Sequence, residues 1–120
     1  MPLAEEGWVE GDVPTKVVER YLEPLAGSDV DALILGCTHY PLFRPVIERV
    51  GKQLLTPTLS IADSAEATAL ELADLLEARD MRAAGTGSLE VLVTDLPQHF
   101  ETIAQRFLGG TIDSVDAIDL

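Results

Sequence analysis

The chain has 120 residues, 47% of them hydrophobic and 5% aromatic, and 21 acidic residues against 8 basic ones give a formal net charge of −13. The length suits one modest domain, and the acidity argues against nucleic acid or an anionic membrane as partner, because both carry the same sign. The one cysteine, Cys37, excludes an internal disulfide and fits a reducing compartment.

Met1-Pro2-Leu3-Ala4-Glu5-Glu6 carries no basic segment and no apolar stretch, so no signal peptide is read there. No apolar run approaches transmembrane length, and the expected setting is cytoplasmic. Asp12-Val13-Pro14 opens a helix, with Asp12 as N-cap and Pro14 in the first turn. Val17, Val18, Tyr21, Leu22 and Leu25 mark its apolar face, and Gly27-Ser28 ends it. Ala32 to Leu35 reads as a buried strand between Asp31 and Gly36. Phe43, Val46, Ile47 and Val50 mark the next helix, closed by Gly51, with Pro45 in its first turn. A short strand is expected in the last residues of Leu54 to Ile61, since Pro57 interrupts the earlier part.

Asp63-Ser64-Ala65-Glu66 fits the start of the longest helix, Asp63 capping backbone N–H groups and Glu66 reaching back as in a capping box. Its core positions are expected at Ala69, Leu72 and Leu76. Residues 84–88 form a loop, and Leu89 to Thr94 a strand. Asp95-Leu96-Pro97 turns into a helix carrying Phe100, Ile103, Ala104 and Phe107, which Gly109-Gly110 ends, and Ser114 to Ile118 is a final short strand. Alternating elements of this kind define an α/β fold, with a mostly parallel sheet and helices on both its faces. Sites in such sheets lie at the carboxyl ends of strands. Cys37 and Asp63 both fall at such ends.

The run Leu33-Ile34-Leu35-Gly36-Cys37-Thr38-His39-Tyr40-Pro41 carries the chemistry. A thiol between a strand end and a helix start lies where backbone N–H groups favour an anion. His39 adds a second group able to move protons. The plainer readings are a small buried cysteine, a turn histidine at His39, a solvated acid at Glu5, a helix-start histidine at His99, a cap at Asp63 and a packing residue at Trp8. Cys37 and His39 offer at most two metal ligands. No glycine pattern leads to a Lys-Ser or Lys-Thr pair, so no phosphate loop and no nucleotide cofactor is indicated. A cysteine hydrolase remains a rival class, with Cys37 attacking a carbonyl and His39 as its base.

Gly36-Cys37-Thr38-His39-Tyr40-Pro41-Leu42 resembles the second active-site motif of bacterial glutamate racemases, in the aspartate/glutamate racemase superfamily. Pro2-Leu3-Ala4-Glu5-Glu6-Gly7 is similar to the family segment that carries an assisting glutamate. Residues 16–22, 63–67 and 89–95 resemble the family as well. The resemblance implies part of a two-lobed α/β fold, with 1–62 in one lobe and 63–120 returning to the other. It implies a cofactor-independent interconversion of L- and D-glutamate for peptidoglycan synthesis. Cys37 is then one of two acid/base thiols, His39 and Glu5 assist it, and Thr38 and His39 hold the substrate. The family's earlier half, with a first cysteine in a Cys-Asn-Thr-like motif and an Asp-Ser motif, is absent from these residues. Racemisation without a cofactor needs a base on each face of the α-carbon, so this chain alone is expected to be inactive. It either meets a complementary N-terminal half, associates with itself, or serves as a non-catalytic association half.

Overall fold

The computed structural model describes residues 2–94, 97–110, 112 and 114–119, and for 97–99 and 102 it describes the backbone alone. The chain divides into two compact units, Met1–Arg82 and Ala83–Leu120.

The first unit runs α1 (Pro2–Glu5), α2 (Asp12–Leu22), β1 (Ala32–Leu35), α3 (Arg44–Leu54), β2 (Ser60–Asp63) and α4 (Ser64–Ala78). Short 3₁₀ turns at Glu23–Leu25 and Tyr40–Phe43 precede β1 and α3. β1 and β2 pair in parallel, with Ala32 opposite Ser60 and Leu35 opposite Asp63. Parallel neighbours need a crossover connection, and α3 provides it. α2 packs against α3. Val18 and Leu22 of α2 meet Val46, Ile47 and Val50 of α3, together with Leu35, Phe43 and Ala4, in one buried cluster.

Several boundaries differ from expectation. The N-cap of α2 is Gly11, at φ 94°, and Asp12 is the first helical residue. The positive φ favours glycine at the corner, and Asp12 keeps a favourable place for its charge in the first turn. Pro45 lies in the first turn of α3, as its fixed φ demands. Gly51 does not end α3, which continues to Leu54. It is buried inside the helix, where a Cβ would run into the Leu59 side chain, so this glycine serves close packing rather than termination. β2 begins at Ser60 and ends at Asp63, two residues beyond the expected end.

β1 is not buried on both sides. Leu35 is 4% exposed while its neighbour Ile34 is 77% exposed. Successive strand side chains point to opposite faces, and the face that takes Ile34 lacks a full covering layer. In α4 the expected core positions fail in the same way: Ala69 and Leu72 are exposed, Leu76 is only half-buried, and no residue of the helix is buried. The apolar pattern is present, but nothing among the described residues covers it.

The second unit consists of β3 (Glu90–Val93), α5 (Pro97–Leu108) and β4 (Ser114–Ala117). β3 and β4 pair in parallel from Glu90 opposite Ser114 to Val93 opposite Ala117. Ala104 of α5 and Ile112 are buried. Gly109, at φ 66°, ends the helix in the left-handed conformation that suits glycine. The expected turn at Asp95 and Leu96, and the side chain of His99, lie outside the described residues.

The α/β class and the parallel pairing match the alternating pattern of the sequence. The single sheet does not: the strands form two separate two-stranded sheets, one in each unit.

The buried cluster and the bare strand face make opposite predictions for isoleucine truncation. Ile47→Ala should lower urea-unfolding stability by about 2–5 kcal/mol, whereas Ile34→Ala should stay within about 0.5 kcal/mol. A comparable loss at Ile34 would mean that its face is covered. Gly51→Ala should lower stability by about 1 kcal/mol, because overpacking outweighs alanine's gain in helix propensity. An unchanged or raised thermal midpoint would show that Leu59 moves aside at no cost.

Candidate active site

β1 delivers the chain to one edge of the first sheet and a tight turn follows. The Gly36 N–H donates to the Ile34 carbonyl at 3.0 Å. Cys37, Thr38 and His39 form a bend, and the Leu42 N–H closes on the His39 carbonyl at 3.2 Å. The sequence suggests a helix directly after the thiol. In the structure the 3₁₀ turn of Tyr40–Phe43 intervenes, and α3 begins only at Arg44. Pro41 and Pro45, each near the start of its own helical segment, account for the break, because neither can donate a backbone hydrogen bond to a preceding turn.

Cys37 is a free, half-buried thiol. His39 is held on both edges of its ring. Thr38 Oγ1 lies 3.2 Å from Nδ1, and Glu5 Oε1 lies 3.5 Å from Nε2. In a neutral imidazole one nitrogen donates and the other accepts. A Thr38 hydroxyl donating to Nδ1 leaves Nε2–H facing the Glu5 carboxylate. Protonation at Nδ1 turns the same contact into an ion pair. Glu5 is the last residue of α1, whose Ala4 is fully buried in the core cluster. Docking of that short helix therefore brings Glu5 to His39 across 34 positions of sequence. The Glu5 side chain is 52% exposed, so the ion pair is worth at most about 1 kcal/mol in stability. What the carboxylate contributes is a partner fixed against the Nε2 edge of the ring.

The second strand end reaches the same edge, because Leu35 sits opposite Asp63. Asp63 caps α4, its Oδ1 accepting from the Ala65 N–H at 2.8 Å and from the Glu66 N–H at 3.5 Å. The expected return bond from Glu66 is replaced by another. The Glu66 carboxylate accepts from Arg44 Nη1 at 2.9 Å. The Arg44 guanidinium offers a fixed fork of donors, and its Nη2 also reaches the Ile61 carbonyl at 3.4 Å. Ser64 Oγ donates to the Leu35 carbonyl at 3.1 Å.

The structure thus brings Glu5 and Thr38 to His39, two residues after Cys37 in the chain, and sets Asp63 at the neighbouring strand end. Trp8 is 56% exposed on the link between α1 and α2. Arg44 and Ser64 were not singled out by sequence reasoning. The Asp-Ser pair at a strand end was the available signal for Ser64, whereas nothing local distinguishes Arg44. An apolar groove of about 370 Å³, lined by Val17, Tyr21, Ile34, Tyr40, Phe43 and Ile47 among others, opens between α1, α2 and β1. Its lining suits apolar side chains and not a dicarboxylic amino acid. Among the described residues no group of three or more His, Cys, Asp and Glu side chains could hold a metal ion. No described helix is long and apolar enough to cross a membrane.

No family model matches the chain. Individual relatives do. It is 38% identical to a glutamate racemase of Neisseria gonorrhoeae, aligned over all of this chain and 43% of the relative. It is 36% identical to one of Chlorobaculum parvum over the same shares. Among solved structures, glutamate racemase from Thermus thermophilus in complex with β-chloro-D-alanine superposes with a TM-score of 0.83 at 40% identity, covering 99% of this chain and 44% of that one. Glutamate racemase from Francisella tularensis in complex with D-glutamate gives 0.82 at 25% identity, covering 98% and 43%. The chain spans less than half the length of the relatives it matches. Along its whole length, in sequence and in fold, it is therefore homologous to a segment of the glutamate racemases.

Proposed function

We propose that this chain supplies one of the two acid/base thiols of a glutamate racemase, with Cys37 as that thiol. The observation that carries the reading is the meeting of Glu5 with His39, two residues after the thiol, at 3.5 Å. Distant parts of the sequence converge there on the one motif that contains a nucleophile. The relation to glutamate racemases, one of them solved with D-glutamate, supports glutamate as the substrate.

The mechanism follows from the stereochemistry. The Cys37 thiolate takes the α-proton of L-glutamate and becomes a thiol. The electron pair left on the α-carbon spreads into the adjacent carboxylate. A second thiol on the opposite face then gives its proton to that carbon, and D-glutamate results. The reverse direction exchanges the two roles. No cofactor takes part in these steps. The carbanion needs fixed donors in a water-poor site, a need that the Thr38 backbone N–H and hydroxyl would meet by holding a substrate carboxylate, the hydroxyl turning from His39 to do so. His39, oriented by Glu5, exchanges protons with the thiol between turnovers. The second thiol cannot come from within this chain, which has a single cysteine.

A two-lobed architecture fits this need, with residues 1–62 contributing to one lobe and 63–120 returning to the other. The partner is the part of a racemase that this chain lacks, and in its absence a second copy. The exposed apolar side chains of Val17, Tyr21 and Phe100 support such an association. D-Glutamate made this way serves peptidoglycan synthesis in the cytoplasm.

Conversion of L- to D-glutamate by the isolated chain should be undetectable. Adding the remaining segment of a related racemase as a separate polypeptide should restore it, and Cys37→Ser in the mixture should lower kcat at least about 100-fold, the usual range for losing an acid/base group. Robust turnover by the isolated chain, abolished by Cys37→Ser, would overturn the need for a second segment. Turnover by the mixture that survives Cys37→Ser would overturn the role of the thiol.

Burial of bare apolar faces is worth about 25 cal/mol per Å², and repulsion between highly acidic copies opposes it. Sedimentation should therefore show self-association that strengthens as salt screens the charge. A monomer at both low and moderate salt would show that the exposed faces do not pair with one another.

A further inference from the structure

The segment 36–43 that carries Cys37, Thr38 and His39 is tied down at both its ends by the junction between β2 and α4. At the entry, Ser64 Oγ donates to the carbonyl of Leu35, the last residue of β1, at 3.1 Å. At the exit, Arg44, the first residue of α3, donates through Nη1 to Glu66 Oε2 at 2.9 Å and through Nη2 to the Ile61 carbonyl at 3.4 Å. The Asp63 carboxylate stands 4.0 Å from the same guanidinium and is itself only 11% exposed. All four partners lie within residues 61–66. The same short stretch also receives the parallel register of β1, since Leu35 and Ile34 pair with Asp63 and Ala62.

We propose that Ser64 and Arg44 are positioning residues, two clasps that fix the ends of the 36–43 segment and so set where the thiol is presented. The idea rests on Cys37 being the reactive group, and its physical basis is separate from racemisation. The segment is only eight residues long, and its one regular element is the 3₁₀ turn of Tyr40–Phe43. Its backbone bonds include Gly36 N–H to Ile34 of β1 and, within the segment, Leu42 N–H to His39, one near each clasp. Glu66 explains why the capping box is broken: its carboxylate holds Arg44 and leaves the helix start to Asp63 alone. A side effect is that the placement of Cys37 becomes sensitive to α4, the helix whose apolar side is uncovered in this chain.

The test uses the 120-residue chain and needs no turnover, so it remains decisive whether or not racemisation is found. Amide hydrogen exchange is followed at Gly36, at Leu42 and, as a measure of the unit as a whole, at Val50 in the middle of α3. Ser64→Ala should speed exchange at Gly36, and Arg44→Met at Leu42, each by several-fold and up to about tenfold, the range for losing one ordinary hydrogen bond. Val50 should be unchanged in both. Iodoacetamide should alkylate Cys37 faster in both variants, by a similar factor. Ser64→Thr keeps the hydroxyl and should restore the original values. Arg44→Lys keeps the charge without the fork and should restore them only in part. Arg82→Met, which removes an exposed pair with Glu77 far along the chain, should leave all of them as they were. Unchanged exchange at Gly36 and Leu42 would overturn the proposal, as would equal acceleration at Val50, which would reduce both residues to general stabilisers.

Discussion

Parallel pairing of β1 with β2 is the constraint on which the site depends. A parallel pair sends both strands out of the sheet at the same edge, so the turn after Leu35 and the helix start after Asp63 have to meet. Everything polar near Cys37 on that side follows from this. Asp63 caps α4 because the strand delivers it there in an extended conformation. Ser64 finds the Leu35 carbonyl because the register leaves it one residue beyond the paired positions. An antiparallel pairing of the same two strands would put Asp63 beside Ala32, and the bond from Ser64 to the Leu35 carbonyl would be lost.

The sequence was most legible where one short-range force dominates. Ala32–Leu35 was readable to the residue because turn formers bracket four apolar side chains. Pro45 and Asp63 were readable because a proline without an N–H and a carboxylate beside free N–H groups each have few good positions. The motif around Cys37 stood out as a candidate site because its residue types are reactive and crowded together. What depended on distant contacts was not readable. Gly51 looks like a helix stop until Leu59 is seen lying over it. Glu66 looks like half of a capping box until Arg44, 22 residues away, is seen to compete for its carboxylate. A long-range charged donor outweighs a local neutral one in that competition.

The errors of burial share one cause. Ile34, Leu72 and Tyr21 sit at positions where the local period calls for a core, yet all three are exposed. Periodicity reports which face of an element is apolar, not whether a layer is present to cover it. In a chain homologous to less than half of its relatives, these are the places where pattern and burial are expected to part. The apolar groove beside β1 is lined by two of these same residues, Tyr21 and Ile34.

α1 has only four residues. A single helical turn does not persist in water by itself, because nucleation is unfavourable and too few bonds follow it. It exists because Ala4 is wholly buried against the core. Glu5 therefore faces His39 only while that turn is docked. Local openings of a protein have free energies of their own, often far below the global value. The carboxylate partner of the histidine is thus present as a population, set by the docking equilibrium of one helical turn. A change that loosens Ala4 can empty the carboxylate side of the imidazole while leaving the strands, the thiol and the folded core where they are.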